Sequence, residues 1–410
     1  MTGMVIAALL FPIAGCIAGR RSLDEAFLFG LGVVGSSLFL LGLLHVPFVI
    51  TIGLLIVAGL LGCWKNWKPS NSATQKPSNL ETIAMIVPLV LIAIPAAIVP
   101  LNDFDGRGFW LLKAKALANE RTISGPFFHN EVMDDPRNQY PLLLPLDAAA
   151  VMMIAGDDDD KQVRFLYVFT FAALVFFVAR RINPWCGALL AWTPQFLVGN
   201  EGGVLTAYAD IAFAAFVACA FIAWIEARSE LDLGLWFAFL ILTKSEGLPI
   251  AILLALMALR RLRAAVPPLL AAIALFVWRA GIPKTDEEDF LRLLPTLPSR
   301  LGRLSSVILD FAQHLFRFPL WGFVWIAALI AVVVLALRKE WPAPAVIGAM
   351  SAIYIAAYTV TNWAPGDLIA ASADRLLMHM IGPALFAISR VIHATAQNRY
   401  GPPEHQLQPT

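Results

Sequence analysis

Charge is scarce in this chain of 410 residues: 14% are Asp, Glu, Lys or Arg, against 59% that are hydrophobic. A soluble domain carries about a quarter charged residues, so the composition excludes an ordinary set of soluble domains of this length. Charge of one sign is missing too. The 30 Lys and Arg nearly cancel the 29 Asp and Glu, leaving +1, with no basic excess for a nucleic-acid surface. Cysteine is the next scarcity. Cys16, Cys63, Cys186 and Cys219 lie in or beside apolar runs, without metal-ligand spacing or a pairing signature. They read as small residues of a membrane core. The first apolar run, near 4–18, lacks a preceding basic segment, and Arg20 and Arg21 follow it instead. It therefore reads as a reverse-oriented first span rather than a signal peptide. No internal repeat is visible.

What is present is one apolar run after another. Runs near 3–19, 25–45, 46–64, 82–100, 162–179, 184–199, 204–225, 231–243, 246–259, 264–281, 318–337, 343–363 and 376–393 are read as about thirteen spans. In lipid each must satisfy its own backbone, so the fold class is all-α and polytopic. The eighth and ninth are short and meet at the polar Lys244–Gly247 turn. Basic residues recur at every second loop: Arg20 and Arg21; Lys65, Lys68 and Lys76; Arg180 and Arg181; Arg228; Arg260, Arg261 and Arg263; Arg338 and Lys339. The positive-inside bias makes these loops cytoplasmic, with the N-terminus outside and the C-terminal tail 394–410 inside. A polar stretch at 66–81 then separates three leading spans, 1–65, from a second module, 82–393. The opposite side receives the long loops 101–161 and 282–317 and shorter ones at 200–204, 244–246 and 364–375. Segment 109–119, FWLLKAKALAN, has the spacing of a helix lying at the interface.

Candidate chemistry gathers on that outer side. Asp103 and Asp105, in LNDFDGRGFW, stand at the mouth of a span, where a carboxylate serves as a general base, holds a metal or simply begins a solvated loop. Lys113 and Lys115 are two residues apart and do not share a helical face, so one is expected at lipid phosphates and the other at a site, unless both snorkel. The run Asp157–Asp160 reads as a solvated acidic turn. His129, Glu131, Asp134 and Asp135 match no standard metal spacing. Asp210, with Tyr208 beside it, falls inside the start of a span, where an ionisable group is costly and tends to be functional. Lys244 and Glu246, in LTKSEGLP, form either a site or a structural ion pair at a helix break. Asp374 and Arg375 open the last span, and arginine's planar fork suits phosphate.

The ordered set FDGRGFWLLKAKAL, NQYPLLLPL, TAYADIAFAAF, LTKSEGL and SADRLLMHMIGP resembles the bacterial members of the GT-C glycosyltransferase superfamily. These are relatives of protein O-mannosyltransferases and of the lipid A aminoarabinose transferase. The likeness covers about 82–393 and leaves the three leading spans outside it. It implies a GT-C-like enzyme of a bacterial inner membrane. Such an enzyme passes a sugar from a polyprenyl-phosphate donor to an extracytoplasmic lipid, glycan or protein acceptor. The family's loop acid matches Asp105, with Asp103 as rival. Its YPLLLP stretch begins at Tyr140, its tyrosine and aspartate match Tyr208 and Asp210, its turn matches Lys244 and Glu246, and its late pair matches Asp374 and Arg375. The chain departs from the pattern at Phe104, often tryptophan in relatives, and at Gly106-Arg107-Gly108, where a second tryptophan is usual.

On that resemblance the expected reaction is an inverting displacement. Asp105 takes the acceptor proton, Lys244 and Arg375 offset charge on the departing phosphate, and Asp210 and Glu246 orient them. Metal dependence is left open by the resemblance, since some relatives hold a divalent metal ion and others do not, and no other cofactor is implied. A transporter or flippase of lipid-linked glycans is the alternative from another class, with Asp210 and Lys244 lining a pathway.

Overall fold

The computed structural model of the protein describes residues 1–19, 21–65, 77–101, 103–130, 138–197, 201–283 and 290–400, with side chains to 394 apart from Leu291. Most of the polar stretch 66–81, the residues Glu131, Asp134 and Asp135, and the end of the tail lie outside these. Among the described residues there is no strand.

The principal helices are α1 (Thr2–Gly15), α2 (Leu23–Leu43), α3 (Phe48–Lys65), α4 (Asn79–Ile98), α5 (Leu112–Glu120) and α6 (Leu143–Ala155). They continue with α7 (Arg164–Arg181), α8 (Pro184–Ala191), α9 (Asp210–Ile225), α10 (Glu230–Thr243), α11 (Gly247–Met257) and α12 (Val266–Ala280). The last five are α13 (Leu304–Leu315), α14 (Val324–Leu337), α15 (Pro342–Val360), α16 (Pro365–His379) and α17 (Ile381–Tyr400). Side-chain caps from Ser78, Asn183 and Ser229 start α4, α8 and α10. At the start of α4 the Ser78 hydroxyl accepts from Glu81 N–H at 3.3 Å, and the Glu81 carboxylate accepts from Ser78 N–H at 2.6 Å. This reciprocal box satisfies two otherwise orphaned donors.

Helix α9 is the axis of the bundle. Every residue from Asp210 to Ala223 is buried, as expected of a helix apolar on all sides. It packs against α7, α10, α16 and α17. Helix α2 in turn packs against α1, α6, α7 and α10, so the leading helices share the core with the rest of the chain. By contrast α3, α4, α12 and α14 turn residues such as Leu54, Leu61, Val90, Leu91, Ile273 and Val333 outward. Exposed apolar area on this scale needs a covering phase. With helices long enough to cross a bilayer, it makes this a multi-pass membrane protein.

The span count is smaller than the thirteen runs imply. Six described helices are long and apolar enough to cross, and a seventh span results if α16 and α17, bent by 54° at Met380, count as one. Helices α1, α6, α9, α11 and α14 are apolar but shorter. Hydropathy registers apolar sequence whether it faces lipid or protein, and a core helix such as α9 needs no full bilayer length. Segment 364–375, read as a loop, is mostly helix α16. The cysteines also differ from expectation, since Cys16 and Cys63 form a disulfide, with Cys186 and Cys219 buried as free thiols. The pair is 47 residues apart and is created by α3 packing along α1, which no local spacing could announce.

One end of the bundle is closed by ion pairs. The buried Glu25 carboxylate accepts from Arg21 at 2.6 Å, Arg181 at 2.8 Å and Arg228, and Arg21 also pairs with Asp232. Arg180 reaches Asp24 at 3.3 Å. Arginines from the loop before α2, the last turn of α7 and the loop after α9 therefore meet at one place. Asp210 lies at the other end of α9, whose 16 residues extend about 24 Å at 1.5 Å per residue.

Candidate functional site

Four segments distant in sequence converge at the Asp210 end. The first is the turn after α4. Asp103 Oδ1 accepts from Gly106 N–H at 3.1 Å, which starts a π-helical turn over Gly106–Leu111 leading into α5. Gly106 lies so close to the Thr206 carbonyl that a Cβ would collide with it. That contact seats Asp103 and Asp105 against the second segment, the loop 201–209. There Ala207 adopts a left-handed φ of 61°, uncommon for a residue with a Cβ, and the next residue, Tyr208, is buried with its ring facing the Arg375 guanidinium.

The third segment is the break between α10 and α11. Lys244 leaves the helix with extended backbone at φ −146° and ψ 160°, and Gly247 packs against the Leu240 carbonyl where no side chain would fit. This reversal places Lys244 Nζ 2.9 Å from Asp210 Oδ1 and 3.4 Å from Glu246 Oε1. The fourth is the end of α16. His379 Nε2 lies 3.0 Å from Asp210 Oδ1, and its Nδ1 lies 2.9 Å from the Tyr354 hydroxyl. A neutral imidazole protonated on Nε2 satisfies both contacts, donating to Asp210 and accepting from Tyr354.

Arg375 joins these groups. Its guanidinium stands 3.6 Å from Asp105 Oδ2, 4.0 Å from Glu201 Oε2 and 5.1 Å from the centre of the Tyr208 ring. The Arg375 side chain is 19% exposed and that of Asp105 33%, so this pair faces an opening, whereas Asp210 and Lys244 are buried beneath it. Burial raises the Glu201 carboxyl above its ordinary value, and the neighbouring acids add to this against the lowering pull of Arg375. The arrangement offers an accessible carboxylate and an accessible guanidinium side by side. Behind them is a dry base of paired charges, which is costly to build and rigid once built.

Asp103, Asp105, Tyr208, Asp210, Lys244, Glu246 and Arg375 are thus brought together. Asp374 is not. Its carboxylate faces the other way, accepting from Trp321 Nε1 at 3.0 Å, lying 3.0 Å from His314 Nδ1 and pairing with Arg317. Adjacent residues of a helix are about 100° apart around its axis, so a sequence pair need not be a spatial one. Lys113 is buried with its ammonium 4.2 Å from the Phe109 ring centre and 5.5 Å from that of Tyr140, while α5 packs on α6. Lys115 points elsewhere, to Asp160 at 2.8 Å. The acidic run is accordingly not all solvated: Asp160 is mostly buried between Lys115 and Arg107.

Sequence reading missed His379, Tyr354 and Glu201. His379 sits in the quoted SADRLLMHMIGP stretch, one turn after Arg375, and that i,i+4 spacing was the available signal. Nothing local distinguishes Tyr354 or Glu201. Among the described residues, no three His, Cys, Asp or Glu side chains are grouped so as to hold a metal ion. No protein-family model matches the chain, and neither a curated protein nor a solved structure matches it.

Proposed function

We propose that this chain is a GT-C-type glycosyltransferase of a bacterial inner membrane. It moves a sugar from a polyprenyl-phosphate carrier to an extracytoplasmic lipid, glycan or protein acceptor. In this reading the Asp210 end of the bundle faces outward and the arginine-rich end faces the cytoplasm. The observation that carries the proposal is the Asp105–Arg375 pair. A carboxylate suited to taking a proton and a guanidinium suited to a phosphate stand next to each other, both reachable from outside the core. The ordered sequence likeness supplies the reaction class.

The acceptor hydroxyl attacks the anomeric carbon as its proton passes to Asp105. The new C–O bond forms while the bond from that carbon to the phosphate oxygen breaks, and the electron pair leaves on the polyprenyl phosphate. A single such displacement inverts the anomeric centre. Arg375 meets the developing charge with two parallel donors. Lys244 is already held between Asp210 and Glu246. It acts as a positioning residue, neutralising Asp210 so that Arg375 is not drawn down into the core.

The test is transfer of radiolabelled sugar by purified protein in lipid, offered a panel of polyprenyl-phosphate sugars beside Asp105→Asn. Loss of donor with the wild type and not with the variant is the expected result. Donor left intact by both, together with labelled glycolipid crossing the bilayer, would establish instead a transporter whose pathway runs past Asp210 and Lys244.

A further inference from the structure

Beside the Asp105–Arg375 pair is a cleft of about 470 Å³ whose walls include Asp103, Phe104, Arg107, Leu112, Lys115 and Asp160. Its size falls within the roughly 300–1,000 Å³ of small-molecule sites. Asp103 lines this cleft and begins the same tight turn that carries Asp105, so the cleft lies beside the proposed reaction centre. Three features define what it would take. Phe104 is 77% exposed at its edge, an aromatic face with no protein partner covering most of it. Arg107 and Lys115 are cations whose charge is balanced in part by one shared carboxylate, Asp160, at 3.4 and 2.8 Å, while their remaining N–H groups can still donate. With Asp103 added, the walls hold two carboxylates and two cations, leaving no positive excess for a phosphate or other anion.

We propose that this cleft is the acceptor site and that the acceptor is a neutral carbohydrate. The inference rests on the glycosyltransferase reading and narrows its acceptor from lipid, glycan or protein to glycan. A sugar ring presents hydroxyls on its rim and C–H groups on its faces. Carboxylate oxygens of Asp103 and Asp160 accept from the hydroxyls, the Arg107 and Lys115 N–H groups donate to them, and Phe104 covers an apolar face. This places an acceptor hydroxyl beside the 103–105 turn that carries the base.

Gly108 supplies the means of testing it. It lines the cleft, and a Cβ there would meet no atom within 4 Å, so the backbone accepts a side chain at this position, and tryptophan supplies the bulk to obstruct the cleft. The experiment measures binding of soluble neutral oligosaccharides to the protein in lipid nanodiscs by saturation-transfer NMR, with inorganic phosphate as a competitor. The probes are glucose-, mannose- and N-acetylglucosamine-based, and Gly108→Trp and Phe104→Ala are run beside the wild type. At least one oligosaccharide should bind the wild type, be undisturbed by phosphate, and bind each variant about tenfold or more weakly, a loss of one decade in Kd. Phe104→Ala, which trims an exposed side chain, keeps the test valid if the tryptophan variant does not fold. Absence of binding by every oligosaccharide, equal binding by the variants, or displacement by phosphate would each overturn the proposal. Sugar transfer with an unchanged acceptor KM in both variants overturns the cleft and leaves the enzyme standing. Oligosaccharide binding lost in the variants, with no donor consumed by the wild type, overturns the enzyme and leaves the cleft.

Discussion

The Arg375 guanidinium lies 3.6 Å from the Asp105 carboxylate, although 270 positions separate them in the chain. At that distance the two are paired but not locked in a short bidentate bond, and both keep contact with the opening. A phosphate entering the site would draw Arg375 toward itself and free Asp105 to accept a proton. The pair is thus set for exchange of partners.

Arg375→Lys tests that exchange. Lysine keeps the charge but replaces a planar fork with a point donor. Turnover should fall on the order of 10²–10³-fold, the usual effect of removing a preorganised transition-state donor, with thermal stability little changed. Single-turnover transfer assays measure it, and wild-type turnover in this variant would remove Arg375 from the reaction.

Asp374 leads to the opposite expectation from its neighbour. Its carboxylate ties α16 to His314 in α13 and to Arg317 and Trp321 just after it. Asp374→Asn should lower stability by about 1–3 kcal/mol, the cost of leaving buried partners unsatisfied, and should loosen residues 304–321 in hydrogen exchange. A variant of full stability with activity as low as Asp105→Asn would instead place Asp374 in the chemistry.

Glu25 is the keystone of the far end. It is 2% exposed and receives Arg21, Arg181 and Arg228. Glu25→Gln leaves three guanidinium groups without their shared counter-charge, and breaking a buried pair in this way costs roughly 3–5 kcal/mol. Thermal melts in detergent should show the loss, while the distant site, one α9 length away, keeps its donor KM in whatever protein remains folded. An unchanged melting temperature would mean the network is solvated rather than buried.

Gly106 and Gly108 separate close approach from mere flexibility. Gly106→Ala forces the turn away from the Thr206 carbonyl, whereas Gly108→Ala meets nothing within 4 Å. The first should lower turnover by moving Asp103 and Asp105 off the 201–209 loop. The second should leave the melting temperature unchanged. Equal effects in both measurements would show that the Gly106 contact does not position the carboxylates.

The fold class was readable because lipid imposes helix on long apolar runs, and Arg21, Arg181 and Arg228, from three of the alternating basic segments, meet at one end. The number of crossings was not readable. Asp210–Ile225 is as apolar as a lipid-facing span yet is surrounded by protein, and hydropathy cannot tell the two surroundings apart. Candidate residues could be picked one by one from their cost in an apolar setting, as with Asp210 and Lys244. Their partners could not, because Asp105 meets Arg375 and Asp210 meets His379 only through packing.

By itself, then, the sequence determined an all-helical membrane chain with acids and bases concentrated at a few breaks, since backbone hydrogen bonding and burial cost depend on local composition. Tertiary structure alone decided which charges face each other. It turned Asp374 away from Arg375, joined Cys16 to Cys63, and buried Lys113 while leaving Lys115 at the cleft. Helical geometry sends neighbouring side chains in different directions, and only the packing of distant helices settles what each one meets.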